Sequence, residues 1–134
     1  MKPFKLKIPS ITDNLRIVES FIDQARDELS FNDDIYGNIM IAVTESVNNA
    51  IIHGNQNNKE KNVHISLSID DHNIAFVIED EGSGFDFSDL PDPTAPENID
   101  KPGGRGIFLI RNLADEVHFH EGGNKVEIVF YING

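Results

Sequence analysis

Apolar and polar positions alternate along this chain with two periods, and the period changes at definite places. Phe4-Lys5-Leu6-Lys7-Ile8 alternates apolar with basic, the pattern of a half-buried strand at a sheet edge, and Pro9 ends it. Leu15, Val18, Ile22, Ala25 and Leu29 recur at helical spacing and predict a helix running to about Leu29. Ser10 or Thr12 is expected to cap it, and Asp13 in the first turn suits the helix dipole. Asn32-Asp33-Asp34 breaks that helix and caps a second, over residues 35–56. Ile39, Met40, Val43, Val47, Ala50 and Ile51 form its inner stripe at ~100° per residue. Gly54 and the polar tract 55–58 end it.

Period two then takes over. Val63, Ile65, Leu67 and Ile69 alternate with His64, Ser66 and Ser68, and Asp70-Asp71-His72-Asn73 reads as a tight turn. Ile74-Ala75-Phe76-Val77-Ile78 is more continuously apolar, as a central strand should be, so these two strands make a hairpin. Residues 80–106 differ in kind, with five of the ten glycines and four of the six prolines. An irregular stretch of that length in a compact domain is commonly a lid or a binding loop. A short helix over 107–114 follows, then a hairpin from Val117-His118-Phe119-His120 and residues 126–131, turning at Gly122-Gly123. The order predicts one α+β domain over residues 1–134: a two-layer sandwich, helices on one face of a largely antiparallel, mixed sheet.

Composition narrows the function. A chain of 134 residues is large enough for one hydrophobic core. It has no cysteine, which excludes disulfides and thiolate metal sites and fits a reducing compartment. The lysine-bearing start lacks the apolar core of a signal peptide, and no run approaches the ~18 apolar residues of a membrane span. A soluble, cytoplasmic protein is expected. The net charge of −12 opposes nucleic acid and anionic lipid, and the basic residues are scattered. Neither nucleic acid nor a membrane is therefore an expected partner. An anionic ligand would need backbone amides, a cation or one local Arg.

Three segments carry candidate chemistry. Glu45, Asn49 and His53 stand at i, i+4 and i+8 on the second helix, flanked by Ile41, Ala42 and Ile52. A carboxylate, an amide and an imidazole among apolar neighbours suit the floor of a site, although any amphipathic helix also has a polar side. Asp80-Glu81-Gly82-Ser83-Gly84 closes the central strand. Its glycines allow a backbone or a flat ligand to come close, and Asp80 can accept from an exocyclic amine. A plain glycine turn would look the same. A calcium loop fits poorly, since Gly82 stands where an oxygen ligand is required. Gly103-Gly104-Arg105-Gly106 leads into the helix at Ile107, where free N–H groups and the dipole favour an anion and Arg105 adds a cation. A dinucleotide fingerprint would need a preceding βαβ unit, and no Walker A pattern occurs.

In order and spacing, Glu-x-x-x-Asn-Ala-x-x-His-Gly, Asp-x-Gly-x-Gly and Gly-x-Gly-x-x-Leu together resemble the GHKL ATP-binding superfamily. The small anti-sigma-factor serine kinases of bacteria are the nearest group, and the likeness covers nearly the whole chain. Residues 42–54 look like that group's N box and residues 103–110 like its G2 box. The resemblance implies ATP and Mg²⁺ as cofactors, with Asn49 as the metal ligand and Glu45 as the general base. It implies Asp80 as acceptor of the adenine amine, Gly82 and Gly84 around the base, and Gly104, Arg105 and Gly106 beside the phosphates. The ATP lid would be residues 85–103. It further implies a serine on a small STAS-type antagonist as substrate, a sigma factor as second partner, and a homodimer.

Relatives often carry Thr after the last hairpin's glycines, where this chain has Asn124-Lys125. Arg16 is the nearest match to their partner-contacting Arg. Two other readings stay open: a nucleotide-gated binding switch without phosphotransfer, and the catalytic domain of a sensor histidine kinase. The second usually has Asn where Glu45 stands. The larger ATP-driven clamps of the superfamily need a transducer domain for which this length leaves no room.

Overall fold

A computed structural model of the chain describes residues 4–29, 33–82, 104–120 and 124–132. The elements are β1 (Phe4–Pro9), a 3-10 turn (Thr12–Asn14), α1 (Leu15–Leu29), α2 (Asp33–Asn49), a π-helical turn (Ala50–Gly54), β2 (Asn62–Ile69), β3 (Asn73–Glu79), α3 (Gly104–Leu113), β4 (Glu116–Phe119) and β5 (Lys125–Tyr131). The sheet order is β1-β2-β3-β5-β4, with β3 in the middle and β1 at an edge. All four pairings are antiparallel, so the expected mixed character is absent from the described strands.

Period-two alternation decides which face is covered. Val63, Ile65 and Leu67 of β2, Ile74, Phe76 and Ile78 of β3, and Val126, Ile128 and Phe130 of β5 are buried. They meet Val18, Ile22 and Ala25 of α1, and Ile39, Val43 and Val47 of α2, in one core. Phe76 and Phe130 meet edge to face at 6.4 Å, a geometry that aligns the positive ring edge with the negative face. The other face keeps Lys5, Lys7, His64, Ser66, Glu79 and Lys125. The β2–β3 turn forms because the Asp70 carboxylate accepts from the His72 and Asn73 amides at 2.8 and 2.7 Å, which also lowers its pKa.

Three expectations need correcting. Neither Ser10 nor Thr12 caps α1. The chain enters that helix through the 3-10 turn, whose N-cap is Ile11, with no side-chain capping bond. Ser10 is buried, and its hydroxyl donates instead to the Lys61 carbonyl at 2.6 Å. The second helix does not run as one α-helix to Gln56, because after Asn49 it widens into a π turn in which the Asn55 amide reaches back to the Ala50 carbonyl. The third helix starts at Gly104 rather than Ile107, which places Gly104 and Gly106 within its first turn.

Candidate functional site

The site is built outward from α2. The aligned row expected of Glu45, Asn49 and His53 holds only for the first two, one helical turn apart within α2. His53 lies in the π turn, where i→i+5 winding no longer returns every fourth residue to one line, and it is exposed. Asn49 is 7% exposed, and its Nδ2 has no hydrogen-bond partner among the described residues. Buried amides are nearly always satisfied, so an orphaned one points to a missing ligand group. Glu45 is half-buried, and no described residue hydrogen-bonds or ion-pairs with its carboxylate.

The π turn carries the helix into the second segment. Asp80 is 5% exposed at the end of β3, and its amide donates to the Asn124 carbonyl at 2.9 Å. Asn124, just after the last hairpin's glycines, thus holds Asp80 through its backbone. Asp80 Oδ1 accepts from the Gly82 amide at 2.8 Å. Burial raises the carboxyl pKa; the Gly82 amide opposes this, the Glu79 charge adds to it, and Lys61 opposes it more weakly.

The glycines here serve close approach. A Cβ on Gly54 would come within 2.9 Å of Asp80 Oδ1 and closer still to the rest of the carboxylate. A Cβ on Gly82 would stand 2.6 Å from the Gly54 carbonyl carbon and overlap its oxygen. The neighbour that Gly82 admits is therefore the backbone of the π turn.

Asn55, in the polar tract that ends the helix, is a structural support of the site that the sequence does not single out. It is 2% exposed, and its side chain joins four segments. Asn55 Nδ2 donates to Ser10 Oγ at 2.7 Å and to the Asn62 carbonyl at 3.0 Å. Its Oδ1 accepts from the Glu81 amide at 2.8 Å, fixing the residue after Asp80. Glu81 in turn meets His64 Nε2 at 2.8 Å, a contact that lowers the carboxyl pKa.

The third segment is the start of α3, which packs against α2 and buries Ile110. The first amides of any helix lack intrahelical acceptors, so those of Gly104, Arg105 and Gly106 can face an anion as expected. The Arg105 side chain, Gly84 and the lid segment 85–103 lie outside what is described, as do the hairpin glycines 122 and 123.

The residues fit a magnesium nucleotide. Asn49 offers a hard amide oxygen, a donor Mg²⁺ would accept beside its waters and phosphate oxygens. No described helix is long and apolar enough to cross a membrane.

The chain is 27% identical over 137 residues to the serine-protein kinase RsbW of Bacillus subtilis (strain 168), covering 97% of this chain and 86% of that protein. It is 29% identical over 136 residues to serine-protein kinase RsbW of Staphylococcus epidermidis, covering 96% and 86%. It is 35% identical over 100 residues to the anti-sigma F factor of Bacillus licheniformis, covering 72% and 62%. Its fold superimposes with a TM-score of 0.68 on the crystal structure of the RsbU and RsbW domains of Rv1364c from Mycobacterium tuberculosis. That match is at 15% identity and covers 98% of this chain and 32% of the other. The profile of the histidine kinase-like ATPase domain matches residues 8–130, taking in α2, Asp80 and α3 together, and the chain belongs to that family.

Proposed function

We propose that this protein binds ATP in the cytoplasm and transfers the γ-phosphate to a serine on a small STAS-type antagonist. It also holds a sigma factor, and it works as a homodimer. The carrying observation is the pair on α2: a Glu45 carboxylate with no described partner, one turn from the buried, orphaned amide of Asn49. The names of the relatives, serine-protein kinase and anti-sigma factor, support the same reading.

Each residue has a task. Asp80, buried and held by Asn124 and Gly82, accepts from the exocyclic amine of the base. The first amides of α3 face phosphate oxygens, with Arg105 beside them, Gly84 borders the base, and residues 85–103 form a lid. Asn49 would hold Mg²⁺ through its amide oxygen; when bound, the ion neutralises phosphate charge. Glu45 takes the proton of the seryl hydroxyl as that oxygen bonds to the γ-phosphorus and ADP departs. Positioning and charge neutralisation supply most of such catalysis, so a single base on a rigid helix suffices.

The test is transfer of label from γ-labelled ATP with Mg²⁺ into a lysate of the source organism, wild type beside Glu45→Gln. One small protein should gain acid-stable label, and Glu45→Gln should slow this by about 10²–10⁴-fold while still binding ATP. Undiminished transfer by Glu45→Gln would remove the assigned base. Nucleotide-dependent partner binding without any phosphoprotein would favour the non-enzymatic switch. Acid-labile phosphohistidine would favour the sensor-kinase reading.

A further inference from the structure

Two buried polar atoms among the described residues have no hydrogen-bond partner, and they sit three residues apart on one helix: Ser46 Oγ and Asn49 Nδ2. Ser46 is 4% exposed and Asn49 7%. Residues i and i+3 are neighbours on a helix surface, ~60° apart around the axis, so the two side chains share one flank of α2. The side chains of the neighbouring helical residues Ala42, Val43 and Val47 are buried and apolar, so neither atom finds a side-chain partner among them, and Ser46 Oγ does not make the bond to the carbonyl four residues back that Thr44 Oγ1 makes to Met40 at 2.6 Å. A buried hydroxyl without a hydrogen bond costs about 1–3 kcal/mol. An Ala at position 46 would fold at no such cost, so Ser46 needs an explanation beyond packing.

The two groups are chemically complementary. Asn49 Nδ2 can only donate, and a seryl oxygen can accept. An Asn side chain has two nearly isosteric ends, and it serves a cation only when the oxygen faces it. We propose that Ser46 is a positioning residue for the nucleotide site: Ser46 Oγ accepts from Asn49 Nδ2 in the loaded protein and so turns the Asn49 carbonyl oxygen toward the magnesium ion. The proposal rests on the reading of Asn49 as the metal ligand. It assigns Ser46 no contact with nucleotide. Partners that orient a ligating side chain typically alter metal affinity by 10–100-fold when removed.

The role predicts a metal-dependent defect. A non-hydrolysable ATP analogue is titrated calorimetrically into the full chain, first with saturating Mg²⁺ and then in EDTA, for wild type, Ser46→Ala and Asn49→Ala. Ser46→Ala should weaken binding roughly 10-fold with Mg²⁺ and leave it unchanged in EDTA. The ligand-free Ser46→Ala protein should melt at the same temperature as wild type or higher, because an unsatisfied group has gone. A loss of equal size in both conditions, or a lower melting temperature without ligand, would make Ser46 a packing residue and overturn the proposal. So would a Ser46→Ala protein that binds like wild type while Asn49→Ala loses its Mg²⁺ dependence, and that result would leave the nucleotide reading standing. Wild type failing to bind the analogue, or binding it without regard to Mg²⁺, would overturn both.

Discussion

Gly54 and Asp80 lie in contact so close that no side chain fits between them: a Cβ on Gly54 would be driven into the Asp80 carboxylate. The end of the long site helix and the end of the central strand are thereby locked together, which fixes Asp80 relative to Asn49. Gly54→Ala should therefore destabilise the fold by about 1–3 kcal/mol, the usual cost of overpacking, and weaken nucleotide binding at least 10-fold. Gly37 is the control. It lies exposed within α2, where an added Cβ meets nothing within 4 Å, so Gly37→Ala should stabilise by about 0.5–1 kcal/mol. Urea unfolding of both variants checks the opposite signs.

Asp80 is held in a protein environment that disfavours its charge. Its pKa is raised on folding, so its contribution to stability is fully present below the unfolded pKa and is lost as pH rises through the folded value. Asp80→Asn removes that loss while the amide oxygen can still accept from Gly82. The variant should gain stability relative to wild type as pH rises above the ordinary aspartate range of ~4. It should bind ATP at least 10-fold more weakly, because it can turn an N–H toward the amine of the base. Denaturation at several pH values, with nucleotide titration at pH ~7, separates the two effects. A variant less stable than wild type at neutral pH would contradict the assigned cause.

Much of this arrangement could be read from the chain because burial leaves periodic traces. Val18, Ile22 and Ala25, or Val63, Ile65 and Leu67, reveal their elements by spacing alone, and all six are buried as the spacing requires. Glu45 and Asn49 were legible for the same reason, as two polar positions on one helical line. His53 was misplaced because a π turn changes the winding without a local sequence signal. The early start of α3 was hidden because Gly104 and Gly106 have low helix propensity, which tertiary packing against α2 overrides. Ser10 and Asn55 were opaque for a different reason. They are 45 residues apart and acquire their roles only when β1, the π turn and β2 meet.

Asn55→Ala should be among the most damaging polar substitutions in the molecule. It leaves Ser10 Oγ, the Asn62 carbonyl and the Glu81 amide without the partner each now has. Some of these groups can turn to water, so a loss of about 2–4 kcal/mol is expected rather than the full sum of three. Because Glu81 follows Asp80 directly, nucleotide affinity should fall as well. Thermal unfolding in the absence and presence of ATP reads both, and a change within ~0.5 kcal/mol would place Asn55 among ordinary surface residues.

His64 Nε2 and the Glu81 carboxylate meet at 2.8 Å one residue after Asp80, with side chains 44% and 39% exposed. The His64 hydrogen bond is the main reason the Glu81 pKa falls on folding, with the Asn62 amide second. A depressed carboxyl pKa contributes stability above the unfolded value and loses it as pH falls through the folded one, so the carboxylate's share of this contact is lost under acid conditions. Exposure and salt screening keep the effect on global stability slight. The sharper readout is local. Carboxyl chemical shifts followed by NMR should show the Glu81 pKa rising in His64→Ala toward the ordinary glutamate range, while Asp70, held by its own turn amides, titrates as before. An unmoved Glu81 pKa would mean that the Asn62 amide, rather than the imidazole, holds the carboxylate.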